Sequence, residues 1–312
     1  MSLTESQTRY VNFYTDFAFK KLFGTEVNKD LLISFLNSLF DGKEVIEDLQ
    51  YLNAEHLGHA MAERKAVFDV YCKNDKGEKF LIEMQKAEQS YFIDRSIYYS
   101  TFPIQEQAPK GKWNFELKRV YTIGILNFIF NEKDPNYMHH EVKLMEINKK
   151  EIFFDKLTYI YLEMPKFRKE KSELVTVFDK WLYAIKHLGD LEERPAELKE
   201  AIFKRLFEQA EIANFTAEER YDYRESQKNF WDLNNVIETA EMKGRVKGIA
   251  EGRAEGIVEG RAEGIAEGRA EGRAEGEHNK ALDIARNLKS YGMPMSQIIA
   301  MTGLSEDDIN VL

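Results

Sequence analysis

Two short runs of alternating apolar residues, Ala66 to Cys72 and Lys79 to Gln85, stand either side of the polar triplet Asp75-Lys76-Gly77. Alternation with period 2 marks a strand, and a glycine-containing break of this length closes a β-hairpin, with Gly77 taking the left-handed position. A three-residue loop pairs Asn74 with Glu78, and that register carries Asp69 opposite Glu83 on one face. Two carboxylates facing each other across a strand pair repel. Inside otherwise apolar strands they call for a cation, and the simplest is a hard divalent metal with oxygen ligands. The competing reading is that both acids merely face water.

Other segments predict what is built around this hairpin. Asp16 to Phe23 carries aromatic residues at helical intervals, with Asp16 placed to cap the helix. Leu32, Phe35, Leu36 and Leu39 follow the i, i+3, i+4, i+7 pattern of an amphipathic helix, ended by Asp41-Gly42-Lys43. Val45 to Asn53 is a strand candidate. Beyond the hairpin, Phe92, Arg95, Ser96, Tyr99 and Phe102 share one helix flank as far as Pro103. Lys118 to Phe130 is apolar enough for a central strand buried on both faces. Leu157 to Leu162 adds another strand, paired through Met138 to Glu146. After Pro165 the stripes are helical: Leu174, Phe178, Trp181, Leu182 and Ile185 make one, and Leu198, Ile202, Leu206 and Ala210 make a second. Thr216 to Ala240 reads as a third helix. Trp181, Phe203 and Trp231 read as core residues. The lone Cys72 excludes an internal disulfide and a cysteine-based zinc site, and reads as a small core residue. His56 and His59, and His139 and His140, have no Cys or acid at zinc-like spacing and read as surface residues.

Residues 244–276 follow a different rule, with glycine at every fourth position in a unit close to Glu-Gly-Arg/Ile-Ala. On a helix, Gly and Ala form two opposed smooth stripes while Glu opposes Arg and Ile. Each interior glycine costs about 0.5–1 kcal/mol relative to alanine, so an isolated helix here is weak. Two readings survive: a helix through which chains self-associate, or a flexible linker. The fixed period and the lack of serine favour the first. Ala281 to Tyr291 predicts a helix ended by Gly292 and Pro294. The remainder resembles a minimal helix-turn-helix with Ser296 and Ser305 as N-caps. Glu306-Asp307-Asp308 opens its second helix, and three acids there oppose phosphate binding. That end therefore reads as a structural or oligomer-capping tail. The net charge of -10 likewise confines any nucleic-acid contact to a local surface. A polar N-terminus and the lack of any apolar run of membrane-span length predict a soluble, cytoplasmic protein with no membrane partner.

The order helix, strand, strand, strand, helix, strand, with acids on the second and third strands, resembles the PD-(D/E)XK nuclease superfamily. The resemblance narrows at Asp16-Phe17-Ala18-Phe19-Lys20, Phe35-Leu36-Asn37, Asp69-Val70, Ile82-Glu83-Met84-Gln85 and Arg95 with Tyr98-Tyr99. With the tandem Glu-Gly units that lead to Thr302-Gly303-Leu304-Ser305, these residues are similar to the Rpn family of recombination-promoting nucleases and transposases. The resemblance implies an α/β fold, with a PD-(D/E)XK restriction-endonuclease-like core (αβββαβ) followed by an α-helical domain and a glycine-repeat helical tail. It implies a DNA endonuclease dependent on Mg²⁺, with Mn²⁺ as a substitute. Asp69 and Glu83 would ligate the metal. Gln85 stands where the superfamily usually has lysine; it could orient water or phosphate but carries no charge. Asp16 is the implied upstream acid, with helix capping as its rival role. Arg95 would hold phosphate or a catalytic carboxylate, or form an ordinary salt bridge, and Lys20 has a similar role toward phosphate. Lys86 should face the other side of the strand from Gln85.

The expected divisions are a nuclease core at 1–165, a helical domain at 166–240, the repeat at 241–277 and the short helical tail at 278–312. The expected activity is DNA cleavage that promotes recombination and serves defence against phage or mobile DNA, by a homo-oligomer joined through the repeat. An internal start at Met242 would release a tail-only form. The alternative is a catalytically weak or inactive nuclease-fold protein acting as an oligomeric interaction module.

Overall fold

The computed structural model describes residues 8–53, 55–56, 66–108 and 111–312, with 55–56 and 66–67 described by backbone alone. The chain falls into two compact units, Met1–Asn234 and Asn235–Leu312.

The first unit opens with α1 (Asp16–Phe23) and α2 (Lys29–Phe40). Thr15, not Asp16, caps α1: its extended backbone lets Oγ1 accept the Ala18 N–H, and Asp16 becomes the first helical residue. The helix ends at Gly24, where only glycine fits, because a Cβ would lie 2.8 Å from the Lys20 carbonyl oxygen. The apolar stripe of α2 is buried as its spacing requires. Strands β1 (Leu49–Tyr51), β2 (Glu55–His56), β3 (Ala66–Val67), β4 (Val70–Asn74) and β5 (Lys79–Gln85) follow, then α3 (Phe92–Gln105), β6 (Val120–Leu126), β7 (His139–Glu146) and β8 (Glu151–Glu163).

Six strands form one sheet in the order β1-β4-β5-β6-β8-β7, and β2 pairs with β3 apart from it. The hairpin has the register its loop dictates: Val70 faces Ile82 and Lys73 faces Lys79, with Asn74 N–H bonded to the Glu78 carbonyl. The expected first strand is, however, broken. A bend at Asp69 separates β3 from β4, so Asp69 stands at a strand end. The crossover through α3 makes β5 and β6 parallel, and β6 is buried along its whole length. The strand expected at Val45 to Asn53 shortens to three residues, and that expected at Leu157 to Leu162 is the inner half of a longer β8.

On one face of the sheet lie α1 and α2, and on the other α3, tied to β8 by Ser96 to the Tyr161 hydroxyl (2.6 Å) and Ser100 to the Tyr159 hydroxyl (2.8 Å). Helices α4 (Val177–His187) and α5 (Ala201–Ala210) do not make the separate body expected for 166–240. They join α1 and α2 in one core, where the Trp181 ring meets Phe23, Phe35 and Phe203 at centroid distances of 5.6, 6.1 and 5.2 Å. A stripe says which side of a helix is buried but not against what. Trp231 departs from its expected core role and is half exposed. His140 departs in the other direction. It is buried, with Nε2 2.8 Å from Glu163 Oε2, a partner that only the pairing of β7 with β8 brings near. His139 is partly buried, and the His56 and His59 side chains lie outside the described residues.

Helix α6 (Ala217–Ser290) begins in the first unit, and its repeat segment belongs to the second. Apart from the helix's own neighbouring backbone, no described atom lies within 4 Å of the Cβ position at any of the nine repeat glycines. Beyond it, α7 (Met295–Thr302) and α8 (Glu306–Asn310) pack Ile298, Leu304 and Ile309 around Ala285. Ser305 caps α8 as expected, but α7 starts one residue before Ser296, behind Pro294. Among the described residues no helix is long and apolar enough to cross a membrane.

Candidate active site

The bend at Asp69 is held from β5: the Met84 N–H donates to Asp69 Oδ2 at 2.8 Å. Glu83 and Gln85, two residues apart, point to the α3 side of the sheet. Gln85 Nε2 donates to Glu83 Oε2 at 3.0 Å. The Gln85 Oε1 accepts from the Arg95 guanidinium, which also donates to Gln89 and lies 5.9 Å from the centre of the Tyr99 ring. Among the described residues Arg95 therefore makes no direct hydrogen bond to a carboxylate. It fixes Gln85, and Gln85 fixes Glu83. Gly124 is the β6 neighbour of Glu83, so no side chain crowds the carboxylate from that strand.

The charges on the α1 side meet Asp69 from behind. Lys86 does leave the strand away from Gln85, but its Nζ is 2.8 Å from Asp16 Oδ1. Asp16 and Lys20 occupy one exposed face of α1, four residues apart. A cleft of about 730 Å³ opens beside Asp69, lined by Phe17, Lys20, Lys21 and Asn28 among others. Asp69, Glu83, Gln85 and Arg95 thus form one connected cluster; Asp16 and Lys20 act on it through charge alone. Gln89 is the residue of the cluster that sequence reasoning missed, and no sequence signal marks it. Lys86 faces away from Gln85 as expected, and on that side its ammonium meets Asp16.

Burial raises the Asp69 carboxyl above its ordinary range, and the Asp16 charge adds to this; the Met84 N–H, Lys20 and Lys86 offset part of it. Glu83 is pushed up to about 8, first by burial and then by the Asp69 charge, against Arg95 and Gln85. Two such groups resist being ionised together. Glu83 Oε1 is in addition buried without a hydrogen-bond partner among the described residues. An unpaired buried carboxyl oxygen beside a second carboxyl group fits a hard divalent cation, whose charge would favour ionisation of both. Among the described residues no group of three or more His, Cys, Asp or Glu is arranged to hold a metal. Asp69 and Glu83 offer two carboxylates among the described residues, and one or two carboxylates, with water and substrate phosphate, are the usual protein contribution to a Mg²⁺ shell.

The raised Glu83 has a consequence for stability. The folded chain binds this proton more tightly than the unfolded chain, so stability falls as pH rises from the ordinary value of 4.5 toward about 8. Glu83→Gln removes that loss. In EDTA at pH 8 the variant should be more stable than the parent by at least ~1.4 kcal/mol, the equivalent of one unit of raised pKa. Near pH 5 the gain should vanish. Thermal denaturation at the two pH values checks this, and equal melting temperatures at pH 8 would contradict it.

Two family models match the chain. One, described as PD-(D/E)XK nuclease family transposase, matches residues 13–240. The other, the C-terminal HTH domain of the Rpn/YhgA-like nuclease family, matches residues 278–312. No curated protein and no solved structure matches it.

Proposed function

The chain belongs to the PD-(D/E)XK nuclease family transposases, with the C-terminal domain of the Rpn/YhgA-like nucleases, and from that premise we propose that it is a Mg²⁺-dependent DNA endonuclease. The observation that carries the proposal is the half-buried Asp69–Glu83 pair, with Glu83 Oε1 buried and unpartnered among the described residues. These two residues would hold the metal, which would supply charge neutralisation at the scissile phosphate and activation of water. Gln85 keeps Glu83 in place and offers an amide to water or phosphate. Arg95 keeps Gln85 in place and contributes positive charge on the α3 side. Lys20, exposed on α1 and lining the cleft beside Asp69, contacts the DNA backbone, and Asp16 orients Lys86. This local cationic surface is what a chain of net charge -10 requires for DNA binding.

The repeat helix, smooth and unpartnered along its glycines, joins copies into a homo-oligomer, and an internal start at Met242 releases the tail alone. The cellular role is recombination-promoting cleavage, with defence against phage or mobile DNA as its setting. One observation favours a second reading, a weak or inactive nuclease acting as an interaction module. Gln85 brings no charge where the superfamily has lysine, and both ends of its amide are already engaged.

Incubation of the purified full chain with supercoiled plasmid separates the readings. Mg²⁺ or Mn²⁺ should support nicking and linearisation, EDTA should abolish both, and added metal should restore them. Binding without metal-dependent cutting would favour the interaction module.

A further inference from the structure

Strand β7 is the outer strand of the six-stranded sheet, and no described strand pairs with its free edge. Exposed edges are normally blunted by proline, by bulges, by extreme shortness or by charged side chains. This one has only the charges, Glu141, Lys143 and Glu146. The strand is eight residues long without proline, and the two register shifts of the hairpin insert their extra residues in β8, leaving β7 continuous. Apolar side chains accompany the bare edge: Val142, Leu144 and Met145 on β7, and Ile152 and Phe153 opposite, are exposed. A run of unpaired backbone groups flanked by apolar side chains is a template for another strand.

The charges on the edge select which strand. In an antiparallel pair, residues that face each other lie on the same side of the sheet. Two copies of β7 related by a two-fold axis can therefore be centred only on a residue. Centring on Glu141 sets two glutamates opposite each other, and centring on Lys143 sets two lysines. Centring on Val142 places Glu141 opposite the Lys143 of the other copy, twice, and Val142 against its own copy. Opposite charges facing across strands are favourable, and like charges are not. Within one copy Glu141 already meets Lys143 at 2.8 Å and Lys43 at 3.0 Å, so both charges sit at the edge where a second copy would face them.

We propose that β7 is the seam of an isologous dimer, in which the sheets of two copies of this chain join edge to edge about Val142. The two-fold geometry makes the surface complementary to itself, as a closed dimer requires. This seam is separate from any association through the repeat.

Position-specific cross-linking of the full chain tests it. A residue on the axis lies about 4.5–5.5 Å from its own copy between Cα atoms, within the range a disulfide spans. Cys72, the sole native cysteine, is buried, and burial raises its thiol pKa, so it contributes no background. Val142→Cys should give a disulfide-linked dimer under mild oxidation at least tenfold faster than Ile147→Cys, an exposed position off the axis. In the Val142→Cys background, Lys143→Glu should slow the reaction about tenfold by setting acids against acids. Adding Glu141→Lys should restore it, because the exchanged pair is again complementary. Equal rates at positions 142 and 147 would overturn the seam, since association through the repeat alone favours neither. A charge exchange that fails to restore the rate would overturn the register.

Discussion

Asp69→Asn should lower metal-dependent cleavage by about a thousandfold or more while leaving the fold intact, since several kcal/mol of transition-state stabilisation rest on the metal. Asn is the informative substitution because its side-chain oxygen can still accept the Met84 N–H that pins the bend, which Ala cannot. The change also removes one of two mutually repelling half-buried charges, so stability in EDTA should be equal or higher. DNA binding should persist, because Lys20 and Arg95 are untouched. Single-turnover cleavage, a binding titration at fixed salt and a melting curve separate these quantities. Cleavage within tenfold of the parent would remove Asp69 from the metal site. Cleavage and stability lost together would make it a structural residue of the bend.

The parts legible in the sequence were those set by local geometry. The loop around Gly77 dictates the hairpin register, and with it the approach of Asp69 to Glu83. The stripe at Leu32, Phe35, Leu36 and Leu39 gives α2, and the apolar run at 118–130 contains the fully buried β6. What was not legible depends on contacts between distant elements. Arg95 meets Gln85 because α3 folds back over β5, so its role as a positioner of the glutamine is invisible to spacing. The bend at Asp69 breaks an alternating pattern that by itself predicts a straight strand. Lys86 obeys alternation, and it meets Asp16 because α1 covers the face of the sheet opposite Gln85, which spacing alone does not reveal. Trp231 shows the limit of reading aromatics at helical spacing as core, because exposure depends on what packs against that turn.

Glu163→Ala should cost about 3–5 kcal/mol, the price of leaving a buried charge without its partner. Glu163 is fully buried at the end of β8. Its Oε1 accepts the N–H groups of Phe130 at 2.7 Å and Asn131 at 3.0 Å, and its Oε2 meets Lys166 Nζ at 2.5 Å and His140 Nε2 at 2.8 Å. Lys166 also donates to the carbonyls of Asn131, Asp134 and Tyr137, so one ion pair organises the connection between β6 and β7. Burial alone would raise the Glu163 carboxyl, yet Lys166, these N–H groups and His140 together hold it below the ordinary carboxylate range. Its stabilisation is therefore present above the unfolded value of 4.5 and lost as pH falls through the lower, folded value. Removing the anion strands Lys166 in the interior; removing Lys166 alone, as Lys166→Met, leaves three carbonyls and a carboxylate short of a donor. The double variant Glu163→Ala/Lys166→Met should cost at least ~1 kcal/mol less than the two single changes added together, since residues in one network couple by about 0.5–3 kcal/mol. Urea denaturation at pH 7 measures all three, and additive losses would mean the pair contributes as independent packing. Because Glu163 lies outside the Asp69 cluster, Glu163→Ala should lose cleavage only as the unfolded fraction grows with urea, whereas Asp69→Asn should lose it in the folded protein.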